Sequence, residues 1–270
     1  MPLTKINNHN IYYEVHGDRE KPALFMGHSL LWDSQMFHNQ VEYFKDNYCI
    51  VIYDFRGQGR SELTTSRSVS IEDCYEDTLG LIDFLNFKEV HYFGQSMGGM
   101  VGLRLAIRCP ERISSLIIAG SGAGEETLKK KINYWALVYI AKTFGLKLIR
   151  KKIMSFMFGN TSLSSQTFKA ELKYWDNHLL NADTEIHRAC IGVIERKSVA
   201  HQLNNIQCPT LIFTGQEDIA IPPGESERMH AKIPHCKLVY IPLAGHSPVL
   251  ECPTLVNQEL ESFLSHCIAK

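Results

Sequence analysis

From residue 10 to about 120 the chain alternates short apolar runs with longer helical patterns, and few folds satisfy such an alternation. Residues 11–15, 23–27, 48–53, 90–94 and 113–120 read as strands, with helical stretches between the last three. Connections of that length are crossovers of a parallel sheet. The clearest helix spans residues 71–85. There Ile71, Cys74, Tyr75, Thr78, Ile82 and Leu85 share one face, while Glu72, Asp73, Glu76 and Asp83 point away. Ser70 followed by Asp73, where Glu or Gln is usual, reads as a weakened capping box. From 125 to 207 the pattern is helical throughout, and strands return at 209–215 and 237–242 before an amphipathic closing helix over 254–268. The expectation is an α/β fold with a mostly parallel central sheet and flanking helices. Residues 1–124 and 208–270 form its core, and residues 125–207 form a helical cap (lid) insertion.

With 44% apolar residues in 270, the chain can bury a large core, which excludes a disordered reading. Its 28 Lys and Arg balance 29 Asp and Glu, for a net charge of −1. That balance argues against nucleic acid or a polybasic membrane contact as its main partner. Eight cysteines, at 49, 74, 109, 190, 208, 236, 252 and 267, include no Cys-x-x-Cys pair. Their scatter fits reduced thiols better than a disulfide framework or a zinc knuckle. The first residues carry no apolar run of signal-peptide type, and nowhere do about 18 uncharged apolar residues run together. A soluble, cytoplasmic protein with no integral membrane segment is expected.

The chemistry is concentrated at Gly94-Gln95-Ser96-Met97-Gly98, which follows an apolar run and opens a helical pattern from Met97 to Arg108. Gly-x-Ser-x-Gly in this strand-to-helix setting is a nucleophile elbow: the turn strains the serine backbone, and side chains at the flanking glycines would collide. The pentapeptide alone is cheap, with about one chance match per ten chains of this length. Its flanks strengthen it. A serine hydroxyl needs a base, and the base needs a group to hold its tautomer. In this architecture both partners follow the elbow, acid before histidine, each in a loop after a strand. Residues 211–215 lead into Glu217 and Asp218; residues 238–241 lead into Gly245-His246-Ser247. Asp218 is therefore the candidate acid, with Glu217 as the alternative, and His246 the candidate base. None of the other histidines has metal-ligand spacing, and His178, His187 and His201 read as solvated or core residues.

Taken together, these segments make the chain resemble the α/β-hydrolase family over nearly its whole length. Tyr53-Asp54-Phe55-Arg56-Gly57-Gln58-Gly59-Arg60-Ser61 is similar to the family's Asp-x-Arg-Gly-His-Gly-x-Ser segment, with Gln58 in place of the histidine and expected to be peripheral to the mechanism. Residues 215–222 resemble its Gly-x-x-Asp-x-x-x-Pro acid loop, which favours Asp218 over Glu217. Ala244-Gly245-His246-Ser247-Pro248, with Glu251 and Pro253, is similar to its histidine loop. The family's early His-Gly-x segment corresponds to His28-Ser29-Leu30, counted back from Phe37. The resemblance then implies Leu30 and Met97 as backbone donors of an oxyanion hole, or Ser29 if the register slips by one. It also implies acyl transfer through a seryl ester on Ser96, with no metal and no organic cofactor. A serine at position 96 disfavours the dehalogenase and epoxide hydrolase branches, which use aspartate there.

The expected substrate is a small-molecule carboxylic ester, lactone or thioester of small to medium size. Tyr134, Trp135, Leu137, Val138, Tyr139, Phe144, Phe156, Met157 and Phe158 make the cap apolar and aromatic, suited to such a group or to packing the lid on the body. Lys129, Lys130 and Lys131, and Arg150, Lys151 and Lys152, read as a solvated face, a receiver of an anionic substrate such as a carrier-bound acyl group, or a membrane-surface contact. The same fold serves carbon–carbon bond hydrolases and enol-lactonases of aromatic degradation, and non-enzymatic ligand receptors, so these stand as alternatives. Residues 27–30 resemble the enol-lactonase branch.

Overall fold

A computed structural model of the chain describes residues 2–268. Its strands are β1 (Leu3–Ile6), β2 (His9–His16), β3 (Ala23–Gly27), β4 (Cys49–Tyr53), β5 (Val90–Gln95), β6 (Ile113–Ala119), β7 (Thr210–Gly215) and β8 (Cys236–Ile241). They form one sheet in the order β1-β2-β4-β3-β5-β6-β7-β8. The first two pairings, β1 with β2 and β2 with β4, are antiparallel, and the remainder are parallel. Strands β3 to β5 and β7 are buried at every position, as expected where helices cover both faces. β1 has no counterpart in the sequence reading. Its signal is Asn7-Asn8, which takes positive φ at both residues (47° and 66°) and closes a hairpin to β2.

The core helices before the long insertion are α1 (His38–Phe44), α2 (Ile71–Phe84) and α3 (Met97–Arg108). Between β6 and β7 come α4 (Leu128–Phe144), α5 (Arg150–Met157), α6 (Asn160–Ser164), α7 (Lys169–Asn181) and α8 (His187–Ile194). The chain ends with α9 (Pro223–His230), α10 (Pro248–Glu251) and α11 (Pro253–Ile268). The cap of α2 is stronger than its sequence suggests. Ser70 Oγ accepts from the Asp73 N–H at 3.0 Å and Asp73 Oδ2 accepts from the Ser70 N–H at 2.8 Å, so the shorter aspartate still closes both arms of the box.

The topology decides where chemistry can occur. β3, β5, β7 and β8 run parallel, so the loops leaving them emerge at one edge of the sheet. Gly27 pairs with Gly94, which brings the chain after β3 out beside the turn after β5. Among the described residues no helix is long and apolar enough to cross a membrane, and no three His, Cys, Asp or Glu side chains gather as a metal site.

Candidate active site

Ser96 sits between β5 and α3 with φ 51° and ψ −109°, a conformation L-residues rarely adopt. The flanking glycines are sterically required. A Cβ on Gly98 would lie 2.0 Å from the Gly27 carbonyl oxygen, and one on Gly94 would lie 2.3 Å from the Gly98 backbone. The turn therefore holds Oγ above the sheet edge.

The structure brings Ser96, His246 and Asp218 into one buried chain of hydrogen bonds. His246 Nε2 lies 2.8 Å from Ser96 Oγ, and His246 Nδ1 lies 2.8 Å from Asp218 Oδ2. The Asp218 carboxylate can only accept, so Nδ1 carries the ring proton and the Nε2 lone pair faces the serine hydroxyl. Asp218 Oδ1 in turn accepts the N–H groups of Ala220 at 2.9 Å and Ile221 at 2.8 Å, which fixes its orientation. Burial alone would push the His246 pKa down; the charge and hydrogen bond of Asp218, helped by Glu251, outweigh it and hold the pKa above the ordinary value.

Two further side chains position this histidine. Glu251 Oε1 accepts from the N–H groups on either side of it, Gly245 at 2.9 Å and Ser247 at 3.1 Å, and Gln95 Nε2 donates to the His246 carbonyl at 2.6 Å. Glu251 Oε2 accepts the Gly159 N–H at 2.8 Å. Glu217, the alternative acid, points elsewhere: it accepts from the N–H (2.8 Å) and hydroxyl (2.5 Å) of Thr161. It is thus a strut between the acid loop and α6, like Glu251 beside it. In the sequence Glu251 stands in the histidine loop with no role marked, and nothing marks Gln95 beyond its place in the elbow. A carboxylate's role in joining distant loops leaves no local signature.

The segment after β3 carries the candidate oxyanion donors. Gly98 N–H donates to the His28 carbonyl at 3.0 Å, tying this segment to the first turn of α3. His28 Nε2 accepts from the Phe55 N–H at 2.9 Å, so its proton sits on Nδ1, which donates to the Ser29 carbonyl at 2.8 Å. Burial is the main reason its pKa lies below the ordinary value, consistent with a neutral ring. Holding the Ser29 oxygen turns the Leu30 N–H of the same trans peptide the opposite way. No protein acceptor takes that N–H among the described residues, whereas the Ser29 N–H meets Met36 Sδ at 3.3 Å. The register with Leu30 as donor is therefore favoured over the one-residue slip. Met97 opens α3, where an N–H has no partner inside the helix. Ser29 stands where the family carries glycine, and the positive φ of this segment falls at the next-but-one residue, Leu31 (70°).

Gln58, expected from sequence to be peripheral to the mechanism, lies against both segments that carry the candidate donors. Its Oε1 accepts the Leu31 N–H at 3.1 Å and its Nε2 lies 3.6 Å from Met97 Sδ, so one buried carboxamide touches both donor segments. Asp54 holds the loop that presents it, accepting from Ser34 N–H and Arg60 N–H at 2.8 Å each.

Ser96 and His246 open into a cavity of about 160 Å³. Its walls are Leu30 and Met100 from the core, and Tyr134, Leu137, Val138, Phe156 and Met157 from the inserted helices. Tyr139 and Phe144 instead face solvent at 68% and 61% exposure, and Phe158 packs near Trp32. The charged lining residues are Glu126 and Arg196, and they pair with each other at 2.8 Å. His178 meets the Trp32 and Trp175 rings edge-on, His187 Nδ1 lies 2.8 Å from the Thr184 carbonyl, and His201 is exposed.

A family model for the alpha/beta hydrolase fold matches residues 22–253. The chain belongs to the α/β-hydrolase family. It is a hydrolase, as are the enol-lactonase and the esterase that resemble it. 3-Oxoadipate enol-lactonase 2 of Acinetobacter baylyi is 27% identical over 252 residues, covering 93% of this chain and 92% of that protein. A thermophilic esterase from Thermogutta terrifontis superposes with a TM-score of 0.92 at 25% identity, covering 99% of both chains. The enol-lactonase from Burkholderia xenovorans shares the fold, with a TM-score of 0.90 at 23% identity over 98% of this α/β-hydrolase and 100% of that chain.

Proposed function

We propose that this hydrolase cleaves uncharged carboxylic esters, or the related lactones and thioesters, through an acyl-enzyme on Ser96. The observation that carries this reading is the Ser96–His246–Asp218 chain opening into an apolar cavity. His246 Nε2 takes the hydroxyl proton as Ser96 Oγ attacks the carbonyl carbon, and Asp218 stabilises the imidazolium. The N–H groups of Leu30 and Met97 receive the oxyanion. His246 then protonates the departing alcohol, and water, deprotonated by the same nitrogen, releases the acid and regenerates Ser96. The inserted helices act as the lid, tied down by Glu217 at Thr161 and Glu251 at Gly159.

Size and charge narrow the substrate. A cavity near 160 Å³ is close to one of about 150 Å³ that admits a benzene ring. The Arg196 guanidinium donates to the Gly124 and Val193 carbonyls as well as to Glu126, which leaves little of its charge for a substrate carboxylate. Acyl groups of about four to six carbons therefore suit the site, and a lactone bearing a free carboxylate suits it less. A p-nitrophenyl ester series tests this reading: kcat/KM should peak at those lengths and exceed that of a carboxylate-bearing lactone. A preference for the anionic lactone would refute the charge argument; no turnover of any ester or lactone would refute the function.

Gln58 provides a second test. Gln58→Ala removes the clamp on Leu31 without touching the triad, so kcat should fall about tenfold while KM stays nearly constant. Gln58→His, restoring the family residue, should recover part of the rate and add an ionisation to the pH profile of kcat. Unchanged kcat in Gln58→Ala would remove this residue from the account.

A further inference from the structure

Helix α4 is apolar on two faces. Tyr134, Leu137, Val138 and Ala141 line the cavity, yet Leu128, Ile132 and Tyr139 (75%, 63% and 68% exposed) form a stripe on the outer side at helical spacing. A helix apolar on both sides is ordinarily buried, so the outer stripe lacks a partner. Just beyond it, Phe144 and Leu148 are 61% and 68% exposed. These five are the most exposed large hydrophobic residues among those described.

The charge around them is one-sided. Although the whole chain is nearly neutral, residues 127–170 contain nine Lys and Arg and no Asp or Glu. At about 100° per residue, Lys129 and Lys142 fall on opposite edges of the α4 stripe. These two, with Lys147, Lys151 and Lys152, have no carboxylate within salt-bridge distance among the described residues. Lys130 and Lys131 only approach Glu126 and Glu125, at 3.9 Å, and Arg150 is paired with Asp176.

We propose that the outer face of α4 and the segment following it form a docking surface for anionic lipid bilayers, with the apolar stripe seated among the acyl chains and the flanking lysines among the headgroups. An apolar stripe edged by lysines is the arrangement of an interfacial helix. A second copy of the chain would bring like charges together across a two-fold axis, which disfavours self-association there. The inner face of the same helix lines the cavity, so docking would place the site next to the lipid phase, where apolar esters concentrate.

The experiment is vesicle co-sedimentation of the full chain. Binding to phosphatidylcholine vesicles containing about one-third phosphatidylglycerol should exceed binding to pure phosphatidylcholine at least about tenfold, and molar salt should weaken it. Lys129→Glu/Lys142→Glu should lower binding about thirtyfold or more, at about 1 kcal/mol for each lysine lost. Leu128→Ser/Ile132→Ser/Tyr139→Ser should nearly abolish it. Both variants should hydrolyse a soluble ester at the wild-type rate, which establishes that they fold. Ser96→Ala should bind vesicles as the wild type does, so this proposal and the ester reading stand or fall separately. Equal binding to both vesicle types, no binding to either, or wild-type binding by both variants would overturn it.

Discussion

Ser96→Ala should reduce kcat on its best ester by about a millionfold, the loss seen when the nucleophile of such a unit is removed. Alanine deletes only Oγ, and serine and alanine meet the same steric conditions at φ 51°, so the elbow should persist. Thermal midpoint and far-ultraviolet circular dichroism should therefore match the wild type. A fluorophosphonate probe should label the wild type and not the variant. Full activity in Ser96→Ala would end the seryl-ester mechanism.

The second large effect is at the acid. Asp218→Asn should lower kcat by about ten-thousandfold. The residue 218 oxygen that accepts from Ala220 and Ile221 would keep those bonds, since a carbonyl oxygen satisfies them. That leaves the amide NH₂ facing His246 Nδ1, which must then accept. The ring proton moves to Nε2, opposite Ser96 Oγ, and the base is lost. The pH profile gives a second reading. In the wild type His246 must be neutral to accept the proton, so kcat/KM should rise through a pKa above about 6.5, because Asp218 lifts it. Without that carboxylate, burial dominates and pulls the pKa down. The acid limb of the residual activity should move to lower pH. An unmoved limb would mean that another group sets it.

How far the sequence reaches depends on whether a feature is local. The turn at Gly94-Gln95-Ser96-Met97-Gly98 is legible because its steric demands fall within five residues. Parallel strands are legible because burial on both faces makes them continuously apolar, as at Ala23–Gly27 and Cys49–Tyr53. Short β1 lies below that threshold, and only its Asn7-Asn8 turn announces it. The choice between Asp218 and Glu217 needed either a family resemblance or coordinates, since both carboxylates lie in one loop and only one faces the histidine. Gln58 and Gln95 act across 27 and 151 residues of chain, on Leu31 and His246, and no periodicity marks such pairings.

By itself the amino-acid order determined the βα alternation, the strained serine turn and the succession of serine, acid and histidine, all of which are written in short-range sterics and in the apolar period. Tertiary structure alone decided which N–H groups are left without acceptors, which carboxylates serve as struts, and which side of α4 meets the cavity and which meets solvent. The reason is physical: hydrogen bonds and desolvation depend on distances between groups far apart in the chain, and only packing of the sheet sets those distances.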